Sequence, residues 1–276
     1  MIKAIFFDID GTLVSFKTHR MSAGVVEALR GLHEKGIKLF IASGRAKAII
    51  NNLDGFPFDG YITMNGALTY LDGRIIDRHP LDRQDARRVA ALARQLDTTC
   101  WAFTESLAAV NFMNAEAQVF ADHIQNHPLH FVDLEKVAET EDVYQFTFFV
   151  KSADELRLVR PALRRAAFPR WHPDFVDIVS EGLSKSCAAS LILDRLGLSR
   201  EECMAFGDGG NDVPLIEYAG TGVAMGNAAD DVKASADHVT LSVDEDGVPA
   251  ALRRFGLFRP LLSKDRRSGA GRVLKN

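Results

Sequence analysis

One pattern constrains this chain more than any other. Short apolar runs rich in β-branched and aromatic residues stop abruptly at small or acidic residues, and most are followed by a helical stretch. Ile2 to Phe7 stops at Asp8, and Ser22 then caps a helical stretch to Lys35 that Gly36 closes. Ile37 to Ala42 (IKLFIA) stops at Ser43-Gly44-Arg45, where a second helix is expected to run to about Leu53, and Gly60 to Met64 stops at Asn65-Gly66. The same order returns late. A helix over Leu183 to Leu196 precedes a strand over Glu202 to Phe206, which ends at Gly207-Asp208-Gly209-Gly210, and Asn211 to Tyr218 is helical. Gly222 to Met225 and His238 to Leu241 are two more short strands. Buried strands alternating with helices define an α/β fold, a doubly wound parallel sheet with right-handed crossovers. In such a sheet ligands bind beyond the carboxyl ends of the strands, where these runs stop.

Between the two halves the grammar changes. Helical stretches over Asp82 to Leu96, Ala115 to Asn126 and Ala153 to Ala167 mix with amphipathic strands such as Tyr144 to Val150, which predicts an inserted α+β domain with helices on one sheet face. The expected division is residues 1–80 and 181–260 for the parallel core, 81–180 for the insert, and 261–276 as a flexible tail, since SKDRRSGAGRVLKN offers nothing to bury.

Composition narrows the partners. With 276 residues, 47% of them hydrophobic, the chain is long enough for two cores. A net charge of -4 provides no broad basic surface, so nucleic acid is not an expected partner. Cys100, Cys187 and Cys203 are scattered without a CxxC pair, as suits reduced structural thiols. The first residues, MIKAIFFDIDGTL, carry two aspartates within the apolar run and do not read as a signal peptide, and no stretch approaches the roughly 20 apolar residues of a membrane helix. A cytoplasmic protein without a membrane partner is expected; oligomeric state is not encoded in any visible pattern.

Four polar clusters sit where the strands end. In Asp8-Ile9-Asp10-Gly11-Thr12-Leu13, two carboxylates leave the sheet edge two residues apart. One can attack phosphorus to form an acyl-phosphate while the other serves the leaving group and then water as acid and base. A calcium loop starting at Asp8 is excluded, because it needs Gly and Glu where Leu13 and His19 stand. Ser43-Gly44-Arg45 offers a hydroxyl and backbone N–H groups to phosphate oxygens. Lys185, next to the cap residue Ser184, meets the unfavourable end of its helix dipole unless a negative group faces it, and a bound phosphate would supply that group; for an isolated lysine a solvated surface charge is the simpler account. Gly207-Asp208-Gly209-Gly210-Asn211-Asp212, with Pro214 in the following turn, places acidic oxygens at a strand end, which suits a hard cation such as Mg2+.

In order and spacing, DIDGTL, SGR, the single lysine and GDGGND resemble the motifs of the haloacid dehalogenase superfamily. The large insert after YITMNGA resembles the C2-type cap of its Cof-like, subclass IIB sugar-phosphate phosphatases. The resemblance spans Ile2 to Phe258. It implies Asp8 as nucleophile and Asp10 as acid and base, with Asp8, Asp208 and the main-chain carbonyl of Asp10 as ligands of Mg2+. Ile9, Ser43, Gly44, Lys185 and Asn211 would surround the phosphoryl group, and Asp212 would support the metal site. Apart from the resemblance, Arg45 and Asn65 stand at strand ends near the expected site and are candidate substrate contacts, with an Asn-Gly turn an almost equal account of Asn65. Ser43 replaces the commoner threonine and keeps the hydroxyl. An acidic residue two positions after the nucleophile belongs to phosphatases and phosphomutases of the superfamily, not to dehalogenases or ion pumps. The expected activity is Mg2+-dependent hydrolysis of a small phosphoester, with hexose phosphates as the implied class and the insert as a lid. The alternatives are a phosphomutase and a phospho-ligand-binding module without turnover.

Other residues are weighed and set aside. His123 and His127 have helical spacing for zinc but no third ligand. Trp101, Arg170, Trp171 and His172 could line a substrate pocket, with core packing the simpler account of the tryptophans.

Overall fold

The computed structural model describes residues 1–124, 130–150, 153–170 and 174–259. The His123/His127 pairing, Trp171, His172 and residues 261–276 fall outside this description. Among the described residues, thirteen strands form two sheets. In chain order they are β1 Ala4–Phe7, β2 Lys38–Ala42, β3 Gly60–Thr63, β4 Leu68–Leu71, β5 Arg74–Arg78, β6 Cys100–Phe103, β7 Ala108–Val110, β8 Gln145–Phe149, β9 Ala166–Ala167, β10 Phe175–Ser180, β11 Cys203–Gly207, β12 Thr221–Ala224 and β13 His238–Val239.

The core sheet runs β13-β12-β11-β1-β2-β3-β4-β5, parallel from β13 through β3 and antiparallel for β4 and β5. Every side chain of β1 is buried, and its residues alternate between two layers. Ile5 and Phe7 pack with Val25, Leu29 and Leu32 of the helix Ala23–Glu34 and with Val248 and Leu252 of the helix Gly247–Arg254. Ala4 and Phe6 pack with Ala189, Ile192 and Leu193 of the helix Lys185–Leu196. Helices thus cover both faces, which is why β1 reads as a continuous apolar run. Phe6 stacks on Phe40 at 4.9 Å and Phe7 on Phe206 at 5.2 Å between centroids, bracing β1 against its neighbours.

The second sheet, β7-β6-β8-β10-β9, is wholly antiparallel. Its outer face, with Cys100, Ala102, Phe146, Phe148, Val176 and Ile178, packs on the helices Arg83–Gln95, Leu134–Thr140 and Ala153–Ala162. Its inner face carries Trp101, Phe103, Phe149 and Phe175, which join Ala46, Ile49, Met64 and Leu68 of the core sheet region in one apolar cluster. This sheet is a cap seated on the carboxyl end of the core strands. Among the described residues no helix is long and apolar enough to cross a membrane.

The structure corrects several expectations. The helix expected from Ser43 to Leu53 is a single 3-10 turn, Lys47–Ile49. Arg45 turns inward and its Nη1 donates to the carbonyl of Ile49 at 3.2 Å, taking the acceptor that a continuing helix needs. Asp54 and Gly55 then adopt φ of 49° and 67°, which breaks the chain direction. The stretch expected helical to Ala167 stops at Ala162, just after Pro161, and Ala166–Ala167 pairs antiparallel with β10. The β4–β5 hairpin was not foreseen, although Asp72-Gly73, with φ of 49° and 74°, is a two-residue turn signal.

Two aspartates at the start of the cap helix Arg83–Gln95 differ in what they hold. Asp82 is the half-buried N-cap, accepting from Gln84 N at 2.9 Å. Asp85, 1% exposed, accepts from Arg165 N at 2.8 Å and Arg164 N at 3.0 Å. Asp85→Ala leaves two backbone donors unsatisfied and is expected to lower unfolding free energy by at least about 2 kcal/mol, against about 1 kcal/mol for Asp82→Ala, in urea denaturation. Equal losses would contradict this assignment.

Candidate active site

The site is built where β1, β2 and β11 end side by side. Asp8 follows β1 and donates its backbone N–H to Phe206 O at 3.0 Å, so the first residue past one strand is registered on the next. The chain then turns tightly, with Leu13 N and Val14 N both on the carbonyl of Ile9 at 3.0 and 2.8 Å. The Ile9 side chain is fully buried in the core, so it can offer only its main chain to the site. Gly11 has φ of +83°, and a Cβ there would lie 2.2 Å from Asp208 Oδ2. Only glycine allows the two acidic loops to approach this closely.

Ser184 caps the helix Lys185–Leu196 through Cys187 N at 3.1 Å, and this delivers Lys185 to the site. The lysine is 1% exposed, and its Nζ donates to Asp8 Oδ1 at 2.7 Å and to Asp212 Oδ1 at 2.5 Å. The negative group required to face that helix end is therefore a pair of carboxylates. Asp212 stands at the N-cap of the helix Val213–Tyr218 but does not cap it. Its Oδ2 turns back to accept from Asp208 N at 3.0 Å and Gly209 N at 2.9 Å, shaping the loop that holds Asp208. A Cβ on Gly207 would lie 2.4 Å from that of Asp212, so this approach too needs glycine.

Carboxylate oxygens of Asp8, Asp208 and Asp212 lie within 4.8 Å of one another. Burial pushes Asp8 up to about 7, with the charges of Asp212 and Asp10 adding to it and Lys185 opposing. Asp208 is raised well above the carboxylate range, by burial first and then by Asp8 and Asp212. Burial alone would lower Lys185, but the carboxylates of Asp212 and Asp8 outweigh it and hold the ammonium protonated. Three carboxylates against one ammonium leave the cluster short of positive charge, and an all-oxygen donor set of this kind suits a hard divalent cation.

Asp10 takes another direction. Arg45, 4% exposed, donates Nε to its Oδ2 and Nη2 to its Oδ1, both at 2.6 Å. Such a fork occupies both oxygens of the Asp10 carboxylate at once. Ser43 lies at the end of β2 with its Oγ accepting from Arg45 N at 3.1 Å. Asp8, Asp10, Ser43, Gly44, Arg45, Asp208 and Asn211 border one cavity of about 60 Å³, with Phe16 at its edge. A larger cavity of about 1080 Å³ beside the helix Ala23–Glu34 shares none of these residues.

Several contributors lay outside the sequence reading. Thr12 Oγ1 donates to Asp208 Oδ1 at 3.0 Å. Asn227 Nδ2 donates to Gly11 O at 2.9 Å and Asp208 Oδ2 at 3.2 Å, while its Oδ1 accepts from Val243 N at 2.9 Å. Asn227 lies three residues past the end of β12, whereas Asp208 directly follows β11, and its place in a loop after a parallel strand was the available signal. From the cap, Gln145 Nε2 reaches Gly44 O at 3.1 Å.

Comparison with known proteins identifies the family. The family model of haloacid dehalogenase-like hydrolases matches residues 5–252. YkrA of Bacillus subtilis (strain 168) is 33% identical over 274 residues, covering 93% of this chain and 99% of that protein. The 5-amino-6-(5-phospho-D-ribitylamino)uracil phosphatase YcsE of the same organism is 28% identical over 262 residues, covering 93% and 96%. Among solved structures, the subclass IIB sugar phosphatase BT4131 superposes with a TM-score of 0.87 at 40% identity, over 93% of this chain and all of that one. BT1666 from Bacteroides thetaiotaomicron gives 0.84 at 37% identity, over 94% and 96%. The chain belongs to the haloacid dehalogenase superfamily, subclass IIB, as a phosphatase-type hydrolase with a C2-type antiparallel cap sheet.

If Lys185 is the charge that makes the acidic cluster tolerable, Lys185→Met measured with a chelator present should lose about 3–5 kcal/mol of unfolding free energy. A loss below about 1 kcal/mol, the scale of an exposed ion pair, would contradict that role.

Proposed function

We propose that this protein is a Mg2+-dependent phosphatase that hydrolyses a small phosphorylated metabolite through an aspartyl-phosphate on Asp8, with hexose phosphates as the substrate class. The observation that carries this reading is the buried Lys185 ammonium bridging Asp8 and Asp212, with Asp208 beside them and the Ser43-Gly44 loop on the same cavity. Two relatives support the leaving-group class by name, one a sugar phosphatase and one acting on a phosphorylated ribityl compound.

In this reading Lys185 fixes Oδ1 of Asp8, and Oδ2 attacks phosphorus. The phosphorus–oxygen ester bond breaks, and Asp10 gives the departing alkoxide its proton. Water then attacks the phosphorus of the acyl-phosphate while Asp10 takes up its proton, releasing inorganic phosphate and restoring Asp8. Asp8, the main-chain carbonyl of Asp10 and Asp208 would hold Mg2+, which supplies charge to offset repulsion between the carboxylate and the incoming anion. Ser43, Gly44, the main chain of Ile9, Lys185 and Asn211 would hold the phosphoryl oxygens, and Asp212 keeps the Asp208 loop and Lys185 in place. To act as an acid, Asp10 must release at least one of the two Arg45 contacts, so Arg45 sets when that carboxyl faces the leaving group.

Incubation with Mg2+ and a panel of sugar phosphates should release inorganic phosphate. Asp10→Asn should lower the rate by about 10²–10⁴-fold. Asp8→Asn should abolish both turnover and a hydroxylamine-sensitive phosphoenzyme. No release from any member, or full activity in Asp8→Asn, would overturn the proposal.

A further inference from the structure

Asn65 lies where the cap meets the phosphate end of the core. It follows β3 within three consecutive residues of positive φ, Met64 at 49°, Asn65 at 57° and Gly66 at 104°. For methionine and asparagine this is an uncommon conformation that the surroundings must hold in place. Met64 N and Asn65 N donate to Arg45 O and Ser43 O, each at 3.1 Å, and a Cβ on Gly66 would lie 2.7 Å from the carbonyl oxygen of Ser184. The turn is therefore pinned against both the Ser43-Gly44 loop and the start of the Lys185 helix.

Its carboxamide joins the two sheets. Oδ1 accepts from Asn211 Nδ2 at 2.9 Å on the core side. Nδ2 donates to Asp177 Oδ2 at 3.3 Å and Gln145 Oε1 at 3.4 Å on the cap side. Gln145 Nε2 continues to Gly44 O at 3.1 Å, and Thr147 Oγ1 donates to Asp177 Oδ1 at 2.7 Å. The three cap residues are at most 2% exposed and share the inner sheet face with aromatic side chains.

We propose that Asn65 is a positioning residue that couples the seating of the cap to the orientation of Asn211 beside the phosphoryl group. An amide can face either way, and its neighbours decide which. The Asp177 carboxylate accepts but does not donate, so a seated cap fixes the Asn65 N–H groups toward itself and its oxygen toward Asn211. That oxygen engages one N–H of Asn211 and leaves the other for a phosphoryl oxygen. Without the cap the Asn65 amide loses this bias, and with it the orientation of Asn211. By linkage, an occupied phosphoryl site favours a seated cap to the same extent. The role of Asn211 in this inference rests on the phosphatase reading, whereas the clasp between cap and core does not.

Asn65→Asp tests both halves. It keeps an acceptor for Asn211 but sets a carboxylate against Asp177, and adding Asp177→Asn returns a donor to the pair. Small-angle scattering of the full chain should show Asn65→Asp expanded relative to wild type and the double variant compact again. Turnover of the best sugar phosphate should fall by about 100-fold in Asn65→Asp, more in kcat than through KM, and recover to within about fivefold in the double variant. Unchanged scattering and turnover in Asn65→Asp, or no recovery in the double variant, would overturn the inference. If wild type turns over no substrate while scattering behaves as expected, the phosphatase reading fails and the clasp stands. Should Asn65→Asp not fold, Gln145→Leu severs Gly44 and Asn65 from the same cap residue without adding charge and is expected to expand the chain likewise; a compact Gln145→Leu would count against the clasp.

Discussion

A lysine ammonium shut off from water, held between the carboxylates of Asp8 and Asp212, is the interaction on which the other parts of the site depend. Without it, the ends of β1 and β11 would bring buried like charges together with nothing to offset them. With it, Asp212 is free to spend its second oxygen on the backbone of Asp208 and Gly209, and the loop carrying Asp208 closes over Gly11. The fold makes this contact automatic. The helix bearing Lys185 packs on the same sheet face as Ala4 and Phe6, and its capped end arrives at the ends of those strands.

The remaining imbalance of charge has a chemical meaning. Lys185 offsets part of the acidity of Asp8, Asp208 and Asp212, and burial with mutual repulsion raises Asp8 and Asp208. A divalent cation and a phosphoryl anion together would meet that environment better than either alone. Asp10 stands apart from the cluster because Arg45 holds both of its oxygens. Asp8 and Asp10, the proposed nucleophile and acid, are thus two residues apart in sequence yet held by different partners, one by a buried lysine and the other by an arginine next to Ser43-Gly44.

The parallel core was legible because its strands are buried on both faces, so their apolar runs are nearly unbroken and their ends are marked by Asp8, Ser43, Asn65 and Asp208. The helix expected after Ser43 failed because nothing in RAKAIINNLDG announces that Arg45 will turn inward and bond the carbonyl of Ile49. Strands β6 and β7 were missed because CWAF and AAV are too short to show a period, and their burial comes from the core and the cap helices. Gln145, Thr147 and Asp177 were invisible for a related reason. They are polar residues on a sheet face that would ordinarily meet solvent, and only docking of the cap makes them buried and consequential. Asn227 sits three residues beyond its strand, and no acidic residue adjoins it in sequence to draw notice.

The most direct test of the central claim is calorimetric titration of Mg2+ into chelator-stripped wild type and Asp208→Ala. The account predicts one cation per chain in wild type and an affinity at least about tenfold weaker in the variant. No binding by wild type, or the same affinity in both, would contradict it.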